Sequence, residues 1–405
     1  MSGPGPRAVK RACARMLAAA QDLAVLDAAW GAALAAAPRH LFLPDRVWIA
    51  AASGDGDYEP VERGSDPAAW FAAAYGPGPV VTQIEDGGPE PLSEHWVTPT
   101  SSVSAPAIVL AMLYDLDVRP GQRILEIGTG AGWNAALLAH RAGPENVTTI
   151  EIDPGLAATA RGNLARVGLR ARVLDGDGAV GDPHGAPYDR IIATAAVGAI
   201  PRAWIGQSRP GTVIVAPWLA GNGFQAVARL TVGADAVASG RFTGGSSFMP
   251  LRADRLATVR HAAYVPAGLP GTARTSTSAL DPATLFAYAR HAAGFALGLV
   301  VPGFHYATAA DAGGAALWLY SMTDASWAYA YRAHGEARAV VHQDGPRPLW
   351  DQIEAAHAWW QRMGAPEATR FGLTVDQDGE RLWLDRADYP LPVFAAPDPA
   401  HGSPS

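Results

Sequence analysis

Apolar positions at the start of the chain recur at helical spacing, Val9, Ala12 and Met16 and then Val25, Ala29 and Ala32, which predicts two Ala-rich helices within residues 7–36. The segment Pro38-Arg39-His40-Leu41-Phe42-Leu43-Pro44 breaks that period and leads into irregular structure. Between residues 76 and 100 Gly, Pro and acidic side chains replace any period, which predicts a long loop of the functional or mobile kind. From Ala105 the pattern tightens. A helix over 108–116 precedes a turn at Pro120-Gly121, and strands are expected at 123–127, 147–152, 171–174, 190–193 and 212–216, with helices at 134–142 and 155–167. Strands alternating with helices predict an α/β fold, a Rossmann-like doubly wound and mostly parallel sheet preceded by N-terminal helices. Residues 230–232 and Phe248-Met249-Pro250-Leu251 read as its closing strands and edge.

Beyond Arg252 the texture changes again. A helix is expected over 281–293 and antiparallel strands at 316–322, 327–332 and 337–342. Leu349, Trp350, Ile353, His357 and Trp360 fall on one face of the next helix, and 371–385 reads as a hairpin around Asp376-Gln377-Asp378-Gly379. This makes a C-terminal α+β domain. The expected divisions are an N-terminal helical region with a long insert (1–100), an α/β core (101–255) and the α+β domain (256–405), with no internal repeat.

Hydrophobic residues at 49% and charged residues at 17% describe a folded chain, and a net charge of −7 leaves no positive field to hold a phosphate backbone, so nucleic acid is not expected as a partner. Cys13 is the sole cysteine, which excludes an internal disulfide and a Cys-based zinc site; no metal is expected, and a reducing compartment fits. The basic stretch Arg7, Lys10, Arg11 and Arg15 is followed by an Ala-rich run broken at Gln21-Asp22, a poor signal-peptide core. No later apolar run could span a membrane, so a cytoplasmic location is expected.

Chemistry concentrates at Leu125-Glu126-Ile127-Gly128-Thr129-Gly130-Ala131-Gly132, where a buried strand ends in glycines that let the backbone approach a ligand closely. Dinucleotide enzymes use a similar loop, so the acids around it matter more. Glu126 lies within the strand. The next strand ends at Glu151-Ile152-Asp153, where a carboxylate can accept from both ribose hydroxyls, and the third leads to Asp175-Gly176-Asp177-Gly178, where Asp177 can accept from an adenine amino group. The plainer alternative is that these acids cap helices or sit in turns, as Asp153-Pro154 does in part. No Gly-Lys-Ser/Thr follows the loop, which excludes a P-loop nucleotidase.

LEIGTGAGWNAALLA, VTTIEIDP, GDGAVG and PYDRIIATAAVGAIP, in that order, resemble the cofactor motifs of the protein-L-isoaspartate O-methyltransferases. PRHLFLP, the closing FMPL, and SVSAP at 102–106 resemble that family too, the last where it has Thr-Ile-Ser-x-Pro, so the resemblance runs over roughly residues 30–255. It implies a methyltransferase that uses S-adenosylmethionine and releases S-adenosylhomocysteine. It further implies cofactor contacts at Glu126, Gly128, Thr129, Gly130, Gly132, Glu151, Ile152, Gly176, Asp177, Gly178 and Thr194, and makes Ser104 the active-site serine. Ser102 stands where the family usually has threonine, a departure that keeps the hydroxyl.

The tail, with GPRPLWDQIEAAHAWWQRMG and RFGLTVDQDGERLWLD, is similar to the C-terminal domain of methyltransferases encoded in ribosomal peptide natural-product (RiPP) clusters, graspetide and lanthipeptide systems among them. That similarity implies an aspartate carboxylate of a modified precursor peptide as acceptor, and an ester that closes to an aspartimide able to open to isoaspartate. The insert at 82–100 also fits that branch. The rival expectations are a repair enzyme for L-isoaspartyl proteins and a non-catalytic nucleotide-binding scaffold.

A carboxylate is ionised at neutral pH, so such an enzyme needs alignment and exclusion of water more than a base. Ser102 and Ser104 can hold the acceptor by hydrogen bonds, or can cap the helix that starts near Pro106. His95 then reads as a solvated loop histidine and His357 as packing. Trp318, Trp327, Trp350, Trp359 and Trp360 read as domain core with a share in a peptide groove.

Overall fold

The computed structural model describes residues 5–20, 28–51, 58–89, 97–256, 259–265, 268–269, 271–287 and 291–394. The chain divides into two compact units, the first made of Met1–Ala195, Ile200–Ala216 and Arg229–Ala238, the second of Ala196–Ala199, Pro217–Ala228 and Ser239–Ser405.

In the first unit, α1 (Pro6–Ala20) and α2 (Ala28–Ala36) are the two expected helices; Val25 lies outside the described residues. Beyond Pro44 the chain forms regular elements where irregular structure was expected. Strands β1 (Arg46–Ala50) and β2 (Tyr58–Glu62), helix α3 (Pro67–Ala74), and strands β3 (Val80–Ile84) and β4 (Pro99–Val103) build an antiparallel sheet of order β2-β1-β3-β4. Each strand is five residues long, and in β4 the two buried positions are Ser101 and Val103, so the two-residue period is carried partly by a serine. The start of α3 is conventional: Asp66 accepts from the Ala69 N–H (2.9 Å), with proline at the first helical position.

Helix α4 (Pro106–Leu116) leads to the α/β core: β5 (Ile124–Ile127), α5 (Trp133–Ala142), β6 (Val147–Glu151), α6 (Pro154–Arg166), β7 (Arg172–Asp175), β8 (Tyr188–Ala193), α7 (Arg202–Gly206) and β9 (Ser208–Leu219). The strands run parallel in the order β9-β8-β5-β6-β7. The chain lays β6 and β7 on one side of β5 and β8 and β9 on the other, so the order reverses at β5, and the crevice beyond its carboxyl end is where such sheets bind ligands. Every residue of β5 and β6 is buried, so β5 reads as an apolar run broken only by Glu126, and β6 buries two threonines and Glu151 beside Val147 and Ile150.

Strand β10 (Gln225–Val232) has residues in both units, and β11 (Ala238–Ser246) leads into the second. There follow β12 (Arg274–Ser278), α8 (His291–Val300), β13 (Phe304–Ala310), β14 (Gly314–Ser321), β15 (Trp327–Ala333), β16 (Ala339–Asp344), α9 (Leu349–Arg362), β17 (Phe371–Asp376) and β18 (Gly379–Leu384). β12 to β16 form an antiparallel sheet of order β12-β16-β15-β14-β13 against which α9 packs through Leu349, Trp350, Ile353 and Trp359. The hairpin β17–β18 turns at Asp376–Gly379 as its sequence predicts. The α/β core and the C-terminal α+β region are therefore both present. The helix expected over 281–293 is not: 281–287 are turns and α8 starts at His291, 288–290 lying outside the described residues. Asp281 takes the Ala283 N–H (3.0 Å) and pairs with Arg332, which anchors the start of that turn. Among the described residues no helix is long and apolar enough to cross a membrane.

Candidate active site

Past Ile127 the chain turns through Gly128, Gly130 and Gly132 with φ of 86°, 51° and 88°, the left-handed region that only glycine enters at little cost. At Gly132 a Cβ would also come within 3.3 Å of the Ala160 Cβ on α6. The loop is braced from both neighbouring strands. Gly128 N–H donates to the Ile150 carbonyl (2.9 Å), Gly130 N–H to Glu151 Oε2 (2.8 Å), and the Thr194 hydroxyl to the Gly128 carbonyl (2.5 Å).

The acids divide by role. Asp153 caps α6, accepting from Gly155 (2.9 Å) and Leu156 (3.1 Å) through Oδ1. Asp177 is exposed and spends Oδ1 on the Ala179 N–H (2.9 Å). Glu151 caps nothing: it is buried at the end of β6, and its Oε1 accepts from the Asp153 N–H (3.1 Å). Burial pushes its carboxyl up, against the pull of the Gly130, Asp153 and Ile152 N–H groups. Beside it Ile152 is 42% exposed, an apolar side chain at the open edge of the sheet. Gly176 N–H donates to the Glu151 carbonyl (2.9 Å) and so joins the third strand end to the second.

Three of the expected cofactor residues act from behind the loop. The buried Thr129 hydroxyl meets Thr149 Oγ1 at 2.6 Å. Gly178 is glycine because a Cβ there would lie 2.3 Å from Ile127 Cγ2. Glu126 is fully buried; Asn134 Nδ2 donates to its Oε1 (2.7 Å), while Oε2 has no hydrogen-bond partner among the described residues. Burial pushes the Glu126 carboxyl up to about 7. A carboxyl whose folded value exceeds its ordinary one contributes stability that is full below the ordinary value and is lost as pH rises through about 7. Glu126→Gln should therefore raise the thermal stability of the cofactor-free protein at pH near 8, by up to about 3 kcal/mol, and change little near pH 4. Melting curves at both pH values check this; equal shifts at both would place the effect elsewhere.

The serines expected on the acceptor side lie in and just after β4. Where a Cβ on Gly130 would stand, Ser101 Oγ is 3.4 Å and the Ser102 carbonyl 3.8 Å away, so β4 passes against the glycine loop. Ser102 and Ser104 are half-buried, and neither hydroxyl has a hydrogen-bond partner among the described residues. The cap of α4 is Ala105, without a side-chain hydrogen bond, so the helix-cap reading of Ser104 does not hold. Sequence reasoning missed three neighbours. Ser101 is buried against the loop. Gln83 accepts from Thr100 Oγ1 (2.9 Å) and donates to Asp153 Oδ2 (3.2 Å), tying the β3–β4 hairpin to the end of β6. Arg39 reaches the Ser104 carbonyl (2.9 Å); its motif was visible in the sequence, its partners were not. His95 lies outside the described residues, and among those described no group of His, Cys, Asp and Glu could hold a metal ion.

A glycine cradle, a buried carboxylate oxygen without a partner and an exposed isoleucine beside a strand-end acid fit a cofactor that is cationic at one end and a flat purine nucleoside at the other. Comparison with known proteins agrees. Residues 91–256 match the family model described as protein-L-isoaspartate(D-aspartate) O-methyltransferase. The Pyrococcus horikoshii protein-L-isoaspartate O-methyltransferase is 38% identical over 151 residues, 37% of this chain and 68% of the relative. That of Ignicoccus hospitalis is 41% identical over 131 residues, 32% of this chain and 62% of the relative's length. That of Methylorubrum extorquens is 35% identical over 232 residues, 57% of this chain and 81% of the relative. A solved protein-L-isoaspartate O-methyltransferase aligns at TM-score 0.51 and 17% identity over 92% of this chain and 100% of its own, a likeness of fold alone. The chain belongs to the protein-L-isoaspartate O-methyltransferase family and is an S-adenosylmethionine-dependent carboxyl O-methyltransferase.

Proposed function

We propose that the acceptor is the side-chain carboxylate of an aspartate in a ribosomally made, ring-bearing precursor peptide of the graspetide or lanthipeptide kind. When bound, S-adenosylmethionine supplies a methyl group activated by its sulfonium. The core at 101–255 holds it: Glu151 accepts from the ribose hydroxyls, Ile152 covers a face of the adenine, and Asp177 Oδ2 accepts from the adenine amino group. Gly128, Gly130, Gly132 and Gly176 admit the cofactor, Gly178, Thr129 and Thr194 brace the cradle, and the free oxygen of Glu126 faces positive charge. Ser102 and Ser104 would donate to the acceptor carboxylate and keep one of its oxygens free to take the methyl group. The amide nitrogen following the esterified aspartate then attacks the ester carbonyl, losing its proton as methoxide leaves, and the products are aspartimide and methanol.

One observation supports a dedicated peptide over a generic one. Residues 257–405 lie outside the stretch matched by the family model, and on the sheet face opposite α9 they carry neighbouring half-buried rings, Trp318 and Tyr329 (4.4 Å between centroids), with His261 edge-on to Trp318 at 4.6 Å. Trp327, Trp350 and Trp359 are interior by contrast. Trp318 and Tyr329 also pack against the buried Val265, Tyr320 and Trp327, and Trp and Tyr are the residue types most enriched where binding energy concentrates. We assign peptide recognition to 256–405, with the 82–100 insert adding to the acceptor side. The sole thiol, Cys13, fits a reducing compartment such as the cytoplasm.

A second reading, repair of L-isoaspartyl proteins, is favoured by the relatives' names and by a fold likeness that reaches 92% of the chain, so possession of a tail does not by itself separate the two. Mass spectrometry does. The ring-bearing form of a precursor encoded near this gene should gain one methyl and then lose methanol, and the linear form should react poorly because it loses more freedom on binding. Methylation of isoaspartyl peptides but of no ring-bearing precursor establishes repair. Cofactor binding with turnover on neither leaves the scaffold reading.

A further inference from the structure

Beneath the acceptor segment lies a cation with no acid. Arg39 is almost wholly buried, and among the described residues no carboxylate pairs with it. Its guanidinium is spent on backbone carbonyls: Nη1 donates to Ala74 (2.8 Å), and Nη2 to Gly78 (3.2 Å), Val103 (2.9 Å) and Ser104 (2.9 Å). Its Nε has no partner among the described residues. Burial pulls the group down to about 10, so it stays charged at neutral pH. Its other side faces Trp133, the first residue after the glycine loop, with the guanidinium carbon 5.3 Å from the indole centroid. Trp133 is itself pinned by its Nε1–H to the Ala37 carbonyl (3.1 Å).

Arg39 thus lies between the helix that opens from the cofactor loop and the main chain of the acceptor segment. Burying a guanidinium is costly unless its donors are used, and a planar fork serves several acceptors where an ammonium serves one point. The Val103 and Ser104 carbonyls are turned inward to meet it, while the Ser104 hydroxyl keeps no partner among the described residues. We propose that Arg39 is a positioning residue for methyl transfer: from the core it fixes the Val103–Ser104 backbone relative to the glycine loop, and thereby sets where the Ser104 hydroxyl holds the acceptor carboxylate relative to the donor methyl. This rests on the reading of Ser104 as an acceptor-binding serine.

The test uses the full-length chain with Arg39→Lys and Arg39→Met, the first keeping the charge and losing the fork. In Arg39→Lys, peptides spanning residues 99–109 should exchange amide hydrogens at least about tenfold faster, with α6 and β6 unchanged and S-adenosylmethionine affinity within about threefold. On whichever of the two acceptors above the wild-type protein uses, kcat should fall by at least about tenfold with KM changed less than about threefold. Arg39→Met should be worse in both respects; if it does not fold, the lysine variant decides. Unchanged exchange over 99–109, or cofactor affinity falling as far as kcat, would overturn the proposal. Failure of the Ser104 reading is separately visible, since Ser104→Ala would then keep full turnover while the exchange result for Arg39→Lys still stands or falls by itself.

Discussion

Ser104→Ala is expected to lower kcat by about 10- to 150-fold while S-adenosylmethionine affinity stays within about threefold of wild type. The range is the worth of one hydrogen bond to a charged group, roughly 1.5–3 kcal/mol. The structure makes this a clean substitution. Ser104 follows β4 and precedes α4, its hydroxyl has no partner among the described residues, and the cap position of the helix belongs to Ala105. Alanine therefore removes no internal hydrogen bond, and the melting temperature should barely move. Ser102→Ala should cost less alone, and the double variant less than the product of the two, because both hydroxyls are assigned to one carboxylate. Calorimetric titration of the cofactor beside steady-state kinetics separates donor from acceptor effects. Full activity in Ser104→Ala, or equal losses of affinity and turnover, would remove the serine from the acceptor site.

Glu151→Ala should weaken cofactor binding by about 100-fold or more, and Asp177→Ala by less than about tenfold. The sequence alone ranks the two acids equally; their surroundings do not. Glu151 is buried and organises the site as well as lining it, since its two oxygens hold the Gly130 and Asp153 N–H groups. Truncation would lose the proposed ribose contact and leave two N–H groups short of an acceptor, one of them in the glycine loop. Asp177 is exposed, and half of its carboxylate is committed to a local turn, so water can replace most of what it offers. Glu151→Gln should fall between, because an amide has a single acceptor oxygen for two N–H groups. Equal losses at 151 and 177 in calorimetric titration would overturn this ranking.

The α/β core was legible because its signals are local. Strands β5, β6 and β8 are buried on both faces, β5 as an apolar run broken only by Glu126, and an acid inside or at the end of such a strand is conspicuous. Glycines with positive φ mark the cofactor loop, and Asp-Gly marks the turn of the β17–β18 hairpin. The N-terminal sheet was illegible for the opposite reason: its strands are five residues long, and β4, which carries Ser102 and leads into Ser104, buries Ser101 where the pattern expects an apolar residue.

Which groups surround the site was settled by partners distant along the chain. Arg39 and the Ser104 carbonyl are 65 residues apart, Gln83 and Asp153 are 70, and nothing in either local segment announces the pairing. Ser104 was open to use as a helix cap until Ala105 took the cap position of α4. Thr129 sat in the cofactor motif on equal terms with its glycines until folding turned its hydroxyl onto Thr149. Sequence by itself determined the parallel core, the cofactor loop and the residue types able to hold a nucleoside, because backbone conformation and burial periodicity are properties of short segments. Tertiary structure alone decided which oxygens remain free, because a hydrogen bond between remote segments exists only once the core has brought them together.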